Sequence, residues 1–439
     1  MNKFILTIFL IPLLSCSAVQ EVTAPVKEAA NRVASKVNTA KGYFDFDYDE
    51  ASGKLFLSVD KLDTEFLYVN SLAAGIGSND IGLDRGQLGN TRIVKFIKYG
   101  PKLLMVEPNY DYRAVSDNEA EKRSVEQAFA QSVLWGFPIE SSTAGRHRID
   151  LTKFLLRDAH NVAGRLARNK QGNYKIDASR SAIYPDMCKA FPKNTELEAT
   201  VTFVGQPKGG WIRSVTPSAD AVTVRMHHSF IELPDDDYQP RVFDPRSGYG
   251  AVSFHDYATP IQESLVKRYI PRHRLKKKNP TAAVSEPVEP IIYYVDRGAP
   301  EPVKSALIEG ASWWNQAYEA AGYKDAFIVK EMPADADPMD VRYNLIQWVH
   351  RSTRGWSYGS SVRDPRTGEI IKGHVSLGSL RVRQDFLIAQ GLLSPYEKGA
   401  VNPDDKMMQM ALMRLRQLSA HEVGPVSYTH LTLPTKRIV

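Results

Sequence analysis

The segment PDDKMMQMALMRLRQLSAHEVG, residues 403–424, carries the clearest helical pattern in this chain of 439 residues. Pro403 and Asp404 provide a start signal for a helix. Apolar side chains follow at steps of three and four residues, which predicts one buried stripe. They are Met408, Ala411, Leu412, Leu415 and Leu418. The sequence therefore predicts a helix from Pro403 to Gly424 with one face in a core.

This helix ends in His421-Glu422-Val423-Gly424, the first four residues of the pattern H-E-x-x-H. In that pattern, two histidines one helical turn apart bind zinc, and the glutamate between them is a general base. The position one turn after His421 is Pro425. His421 is thus the candidate metal ligand and Glu422 the candidate catalytic base of a motif that is half present.

The first residues, MNKFILTIFLIPLLSCSAVQ, have the layout of a secretory signal peptide, which we assign to residues 1–18. Their apolar run is short for a membrane span. Leu13-Leu14-Ser15-Cys16 resembles a bacterial lipobox, so we expect Cys16 to be lipidated. The alternative is a plain signal peptide cut near Ala18. The expected location is outside the cytoplasm, on the bacterial outer membrane or the periplasmic face, with membrane contact only through the lipid.

Composition favours a globular exported protein without a nucleic-acid partner. The chain is 43% hydrophobic and 24% charged, which is ordinary for soluble domains. Its formal charge of +6 is spread thinly apart from Lys276-Lys277-Lys278, and no basic face with interleaved aromatic residues is visible. If Cys16 is lipidated, Cys188 has no partner for a disulfide.

Strand and helix patterns divide the chain into two domains of an α+β fold. A polar tether, residues 19–41, precedes a β-rich N-terminal domain, residues 42–270, and a linker covers residues 271–290. In the β-rich domain, His227 and His228 are neighbours on a predicted strand, so they point to opposite faces and do not form a metal pair. The second domain, residues 291–424, begins with a strand at Ile291 and continues with a helix from Pro302 to Gly322. Further strands are expected at 327–330 and 344–349, with a hairpin over 357–377.

Several long runs carry a family resemblance that covers 42–424. They include Trp313-Trp314-Asn315, the run NLIQWVHRSTRGWSY at 344–358, and Gly373-His374-Val375. In these runs the chain resembles a family of bacterial secreted zinc-dependent metalloproteases. Members have an uncharacterised β-rich N-terminal domain followed by a metzincin-like α/β zinc-peptidase domain. The resemblance therefore implies a zinc-dependent metalloendopeptidase that acts on protein or peptide substrates.

The family continues the helix as H-E-V-G-H-x-x-G-x-x-H, which assigns roles to residues of this chain. His421 would be the first zinc ligand, and Glu422 would accept a proton from zinc-bound water. Gly373, His374 and Val375 would belong to a strand that binds substrate backbone. Because Pro425 stands where the second ligand belongs, we expect this chain to bind no zinc and to be inactive. The alternative is a non-catalytic exported lipoprotein that binds protein or glycan through its β-rich domain.

The tail PVSYTHLTLPTKRIV, residues 425–439, does not continue the family motif. Its first part back-translates to the transposon end and adaptor of a common sequencing-library method. We therefore expect that the family sequence is truncated after Gly424, within the motif, and that the tail is translated adaptor. His430 is then no ligand.

Overall fold

The structure is a computed structural model that describes residues 37–247, 249–353, 355–393 and 403–427. Three sequence predictions lie outside these residues: the signal peptide, the lipidation of Cys16, and the exclusion of His430. Within the predicted tether, Val37–Ala40 is a strand.

The chain up to residue 270 is rich in strands, as the alternating pattern predicts. Its strands are β1 Val37–Ala40, β2 Asp45–Asp49, β3 Lys54–Val59, β4 Glu65–Ala74, β5 Leu88–Tyr99, β6 Lys102–Glu107, β7 Tyr112–Arg113, β8 Ser132–Thr143, β9 Arg146–Asp150, β10 Gly172–Ile176, β11 Ala182–Ile183, β12 Lys189–Phe191, β13 Asn194–Pro207, β14 Ala221–Glu232, β15 Arg241–Val242, β16 Val252–Asp256 and β17 Val266–Ile270. Its helices are α1 Glu119–Ala128, α2 Thr152–Leu155, α3 Val162–Arg168 and α4 Gly210–Val215.

Most of these strands join one 13-stranded sheet in the order β1-β2-β3-β9-β8-β6-β5-β4-β14-β13-β10, with β11 and β12 also paired to β13. Neighbouring strands in this sheet are antiparallel. A smaller sheet has the order β15-β17-β16-β7. The large antiparallel sheet, together with the helices described here, confirms the predicted α+β class.

Strand β4 is buried on both faces because a separate core lies on each side of it. Phe66 and Tyr68 point into an aromatic core, where the rings of Phe66 and Phe230 are 5.7 Å apart, edge to face. Leu67 and Val69 point the other way, into a second apolar cluster that also contains residues from beyond 290. The sheet therefore supports the following part of the chain as well as its own core.

The chain from residue 291 forms a five-stranded sheet with helices. Its elements are β18 Ile291–Val295, α5 Val303–Ser312, α6 Trp314–Ala320, β19 Phe327–Glu331, β20 Asn344–Val349, β21 Tyr358–Arg363, β22 Ile370–Gly378, α7 Leu380–Leu392 and α8 Pro403–Ser427. The strand order is β19-β18-β20-β22-β21. All neighbours are parallel except β21, which runs antiparallel to β22 at one end of the sheet.

Two helical predictions differ from the structure, and one helix was not predicted. The predicted helix from Pro302 to Gly322 is two helices, α5 and α6, which meet at Trp313. Helix α7 has no counterpart in the sequence prediction, because its pattern lacks a clear apolar stripe. Helix α8 does not end at Gly424 but includes Pro425 and reaches Ser427.

Hydrogen bonds from buried side chains explain how α8 continues past its proline. The hydroxyl of Tyr293 donates to Val426 O at 3.0 Å, and Nε2 of His273 lies 3.1 Å from the same oxygen. The hydroxyl of Tyr318 donates to Ser427 O. These contacts satisfy carbonyls that a helix end leaves without intrahelical partners, and they offset the cost of proline in the last turn.

Helices α5 and α8 approach each other closely at Gly310. A Cβ atom added to Gly310 would lie 2.1 Å from Arg416 O and 2.5 Å from Arg416 Cα. Nearby, Ser419 Oγ donates to Leu307 O at 2.7 Å, and Trp314 Nε1 donates to Ala420 O at 2.7 Å. The absent side chain at Gly310 therefore sets the depth at which α8 packs.

We predict that Gly310→Ala destabilises the protein although alanine favours helices. Helix propensity alone would stabilise by about 1 kcal/mol, but the clash with Arg416 forces the helices apart, at a cost of about 1–3 kcal/mol. Gly391→Ala in α7 is the matched control, since a Cβ there meets no atom within 4 Å. Denaturant unfolding should give a lower midpoint for Gly310→Ala and an equal or higher one for Gly391→Ala.

The adjacent histidines of β14 occupy opposite faces, as predicted, and have opposite electrostatic surroundings. His227 lies between Glu196 and Glu198, with its Nδ1 3.2 Å from Glu198 Oε2. Burial opposes its protonation, but hydrogen bonds to both carboxylates outweigh that cost and raise the pKa of His227 to about 9. His228 lies beside Tyr68, and burial, with Arg157 nearby, lowers its pKa to about 3.

We predict that His227 is an imidazolium and His228 a neutral imidazole at pH 7. Because the pKa of His227 is raised on folding, its stabilising charge pair is fully present below its unfolded pKa and is lost as pH rises through about 9. Histidine-selective NMR should show one buried imidazolium that titrates far above the usual range, and Glu196→Gln should lower that midpoint. A neutral His227 at pH 7 would contradict the assignment.

Candidate functional site

Helix α8 presents its two candidate residues differently. His421 is exposed, and Pro425, one turn further, is exposed on the same side of the helix. Glu422 is 8% exposed, and Val423 is fully buried in the core under the five-stranded sheet. The helix therefore turns the position of His421 towards solvent while it holds Glu422 at the edge of the core.

Strand β21 passes directly over Glu422. A Cβ added to Gly359 of β21 would lie 2.5 Å from Glu422 O and 3.2 Å from Val426 Cγ1. Only a residue without a side chain fits this approach. Glu422 and the backbone of β21 are therefore close neighbours.

Burial raises the pKa of the Glu422 carboxyl, while His421 and Arg381 partly oppose this shift. The charges of His421 and of Arg381 on α7 favour the ionised form, whereas the low-dielectric surroundings disfavour it. A carboxyl with a raised pKa beside an exposed histidine is the type of group that exchanges protons with a bound molecule.

Gly373, His374 and Val375, for which the resemblance predicts a role in binding substrate backbone, lie in the interior of the five-stranded sheet. These residues lie in β22, which has β20 on one side and β21 on the other, so its backbone offers no open edge. Val375 is fully buried, and a Cβ at Gly373 would meet the Tyr293 hydroxyl at 2.0 Å. Burial, with Lys372 and Arg85 nearby, lowers the pKa of His374 to about 4.

Next to α8, β21 ends the five-stranded sheet, and among the residues that the structure describes it pairs only with β22. Its residues alternate between two environments. Gly359 faces Glu422, whereas Val362 packs into the apolar cluster shared with β4 and β5. Local sequence patterns predicted the hairpin. They did not predict which of its strands lies at the end of the sheet, because strand order depends on contacts between residues that are distant in sequence.

The charged residues of α8 do not complete a metal centre. Among the residues that the structure describes, no three His, Cys, Asp or Glu side chains are grouped so as to hold a metal ion. His421 supplies one imidazole, and the side chain at position 425 has no donor atom. A catalytic zinc site needs three protein ligands and an open position, so these residues do not fit such a site.

A cavity separates the large sheet from the five-stranded sheet. It has a volume of about 220 Å³ and lies among Glu196, His227, Arg225, Lys372 and His374. Lys372 Nζ donates to Pro338 O at 2.6 Å, whereas Nε2 of the buried His374 has no hydrogen-bond partner among the described residues. Apolar side chains such as Val69 and Val362 also line the cavity, so it combines charged and apolar surfaces.

Comparison with protein-family models finds a match to part of the chain. Residues 86–278 are similar to the family described as "Domain of unknown function (DUF5117)". Comparison with curated proteins and with solved structures finds no match. In the described part of the chain, every helix is too short or too polar to cross a membrane.

We predict that Glu422→Gln stabilises the protein more at high pH than at low pH. The raised pKa means that Glu422 favours the fold below its unfolded pKa and that this contribution is lost as pH rises through the folded value. Glutamine keeps the shape without the charge. Unfolding midpoints of parent and variant should converge near pH 4 and diverge near pH 8 in favour of the variant. Convergence at both pH values would contradict a buried, ionisable Glu422.

Proposed function

We propose that this chain has the framework of a zinc-dependent metalloendopeptidase with a metzincin-like domain, and that the chain as written is inactive. The observation that supports the proposal is that the helix carrying His421 and Glu422 packs against the end strand of the sheet: the backbone carbonyl of Glu422 lies directly under Gly359 of β21. The family resemblance supports the same function. The candidate substrate is a protein or peptide in an extended conformation.

The geometry of β21 favours an extended peptide. An unpaired strand edge binds such a peptide through main-chain hydrogen bonds, which require no particular side chain. A peptide beside β21 would place its backbone above the end of α8, close to His421 and Glu422. The residues of β21 would position the peptide, and Glu422 would hold or accept a proton beside it.

The exposed side of α8 fits one half of a metal-binding pair. His421 and residue 425 are one turn apart and both exposed, which is the spacing that brings two imidazoles to one ion. In the family, zinc bound there would supply Lewis-acid chemistry. In this chain Pro425 removes the second ligand, which is why we propose that the literal chain is inactive.

Export and lipidation at Cys16 remain part of the proposal. They rest on the signal-like sequence of residues 1–18 and on the resemblance of Leu13-Leu14-Ser15-Cys16 to a lipobox. Mass spectrometry of the chain expressed in a bacterium tests this: an acylated Cys16 at the new N-terminus is expected, and a chain cut after Ala18 would contradict it.

We predict that Pro425→His creates zinc affinity on α8. The second imidazole should tighten Zn²⁺ binding by at least roughly tenfold, or about 1.4 kcal/mol. Competition with a chromophoric chelator measures this affinity. Pro425→Ala is the control for relief of proline strain, and it should gain helix stability without gaining affinity.

The double variant His421→Ala, Pro425→His identifies the ligands. It should bind zinc as weakly as the parent chain. Equal affinity in Pro425→His and in this double variant would show that His421 does not face the ion, and the metallopeptidase proposal would give way to the non-catalytic binding protein.

A further inference from the structure

Strand β21 is attached to the β-rich part of the chain at both of its ends and in its middle. This part is residues 37–270. At the first end, the guanidinium of Arg351 donates from Nε at 2.9 Å and from Nη2 at 2.7 Å to Asp84 Oδ2. The side chains are 2% and 0% exposed, so this ion pair is shielded from water. Removing either partner would leave a buried charge without compensation.

The loop of residues 75–86 makes further contacts with the segment that leads into β21. Ser352 N donates to Gly77 O at 2.8 Å, and Thr353 Oγ1 donates to Asp80 Oδ2 at 2.5 Å. Arg351 also reaches forward, since its Nη1 donates to Trp356 O at 3.2 Å. The same arginine therefore connects the loop to the residues immediately before the strand.

The turn after β21 is held by a second set of contacts. Arg113 donates from Nη1 to Arg366 O at 2.8 Å and from Nη2 to Pro365 O at 2.9 Å. Arg366 Nη1 donates to Glu65 Oε2 at 3.3 Å. The other oxygen of Glu65 accepts a hydrogen bond from Tyr110 at 2.6 Å. Glu65 and Arg113 thus fix the far end of the hairpin.

Between these two ends, Val362 packs against the large sheet. It belongs to the apolar cluster that contains Leu67 and Val69 of β4 and Ile93 of β5. The opposite face of β21 rests on α8 through Gly359. The strand therefore lies between α8 and the β-rich part.

We propose that the β-rich part is a brace that holds the open edge of β21 in the geometry required to bind an extended peptide, with Asp84 and Glu65 as its positioning residues. The part of this inference that concerns peptide binding rests on the proposed function. An end strand has hydrogen bonds to one neighbour only, so its position depends on contacts outside the sheet. For β21, these contacts come from the β-rich part, through Asp84, Glu65 and Arg113.

Hydrogen exchange of the free protein tests the brace without any ligand. Asp84→Asn should speed amide exchange in the peptides that cover β21 by at least roughly tenfold, while exchange in β18 and in β3 stays unchanged. Glu65→Gln acts at the other end of the hairpin and gives a second test if Asp84→Asn folds poorly. Asp45→Asn is the matched control, because it breaks an exposed ion pair with Arg146 far from β21 in sequence.

Two results would overturn the brace. One is unchanged exchange in β21 in both variants. The other is uniform acceleration in all strands, which would mean that the contacts contribute to global stability alone.

Peptide binding is measured separately, by fluorescence anisotropy with labelled peptides of randomised sequence. Asp84→Asn should raise Kd by at least roughly tenfold, and Asp45→Asn should leave it unchanged. If the parent chain binds no peptide, the proposed function is contradicted while the exchange data still judge the brace. If Asp84→Asn and Glu65→Gln both bind peptide as tightly as the parent does, the positioning role is overturned.

Discussion

The close approach of β21 to α8 is the constraint on which the candidate site depends. It exists because residue 359 is glycine and because α8 packs deeply against α5, where residue 310 is also glycine. The backbone of Glu422 lies under β21 and its residue is buried, whereas His421, its neighbour in sequence, stays exposed. Gly359 thus allows α8 to lie close to β21, and Gly310 allows it to lie close to α5.

The large antiparallel sheet has two functions in this architecture. One face covers its own aromatic core, and the other forms a cluster with Val341 and Val362 from the second half of the chain. Buried ion pairs such as Asp84 with Arg351 add specificity to that contact, since mispairing would leave a charge in a dry environment. The two parts of the chain therefore share a core and charged contacts, and β21 lies where they meet.

Local patterns predicted much of the fold. Alternation predicted strands before residue 270, among them the strand with His227 and His228, which is β14, and the glycine at 322 marked the end of a helical region. The opposite orientation of His227 and His228 followed from strand geometry alone. The buried strands of the second half were also placed correctly, because short apolar runs between turn residues are typical of parallel sheets.

Long-range contacts account for what local patterns did not predict. The position of β22 inside the sheet depends on its pairing with β20 and β21, so local patterns did not show that Gly373, His374 and Val375 lie in an interior strand. The partners of Asp84 and of the last turn of α8 are distant in sequence, which is why neither the contacts of Asp84 with the segment before β21 nor the extension of α8 through Pro425 was expected.

The most direct test of the proposed peptide site is a crystal structure of the chain with a bound extended peptide. We predict main-chain hydrogen bonds between the peptide and the open edge of β21, above Glu422. A peptide bound elsewhere, with that edge empty, would contradict it.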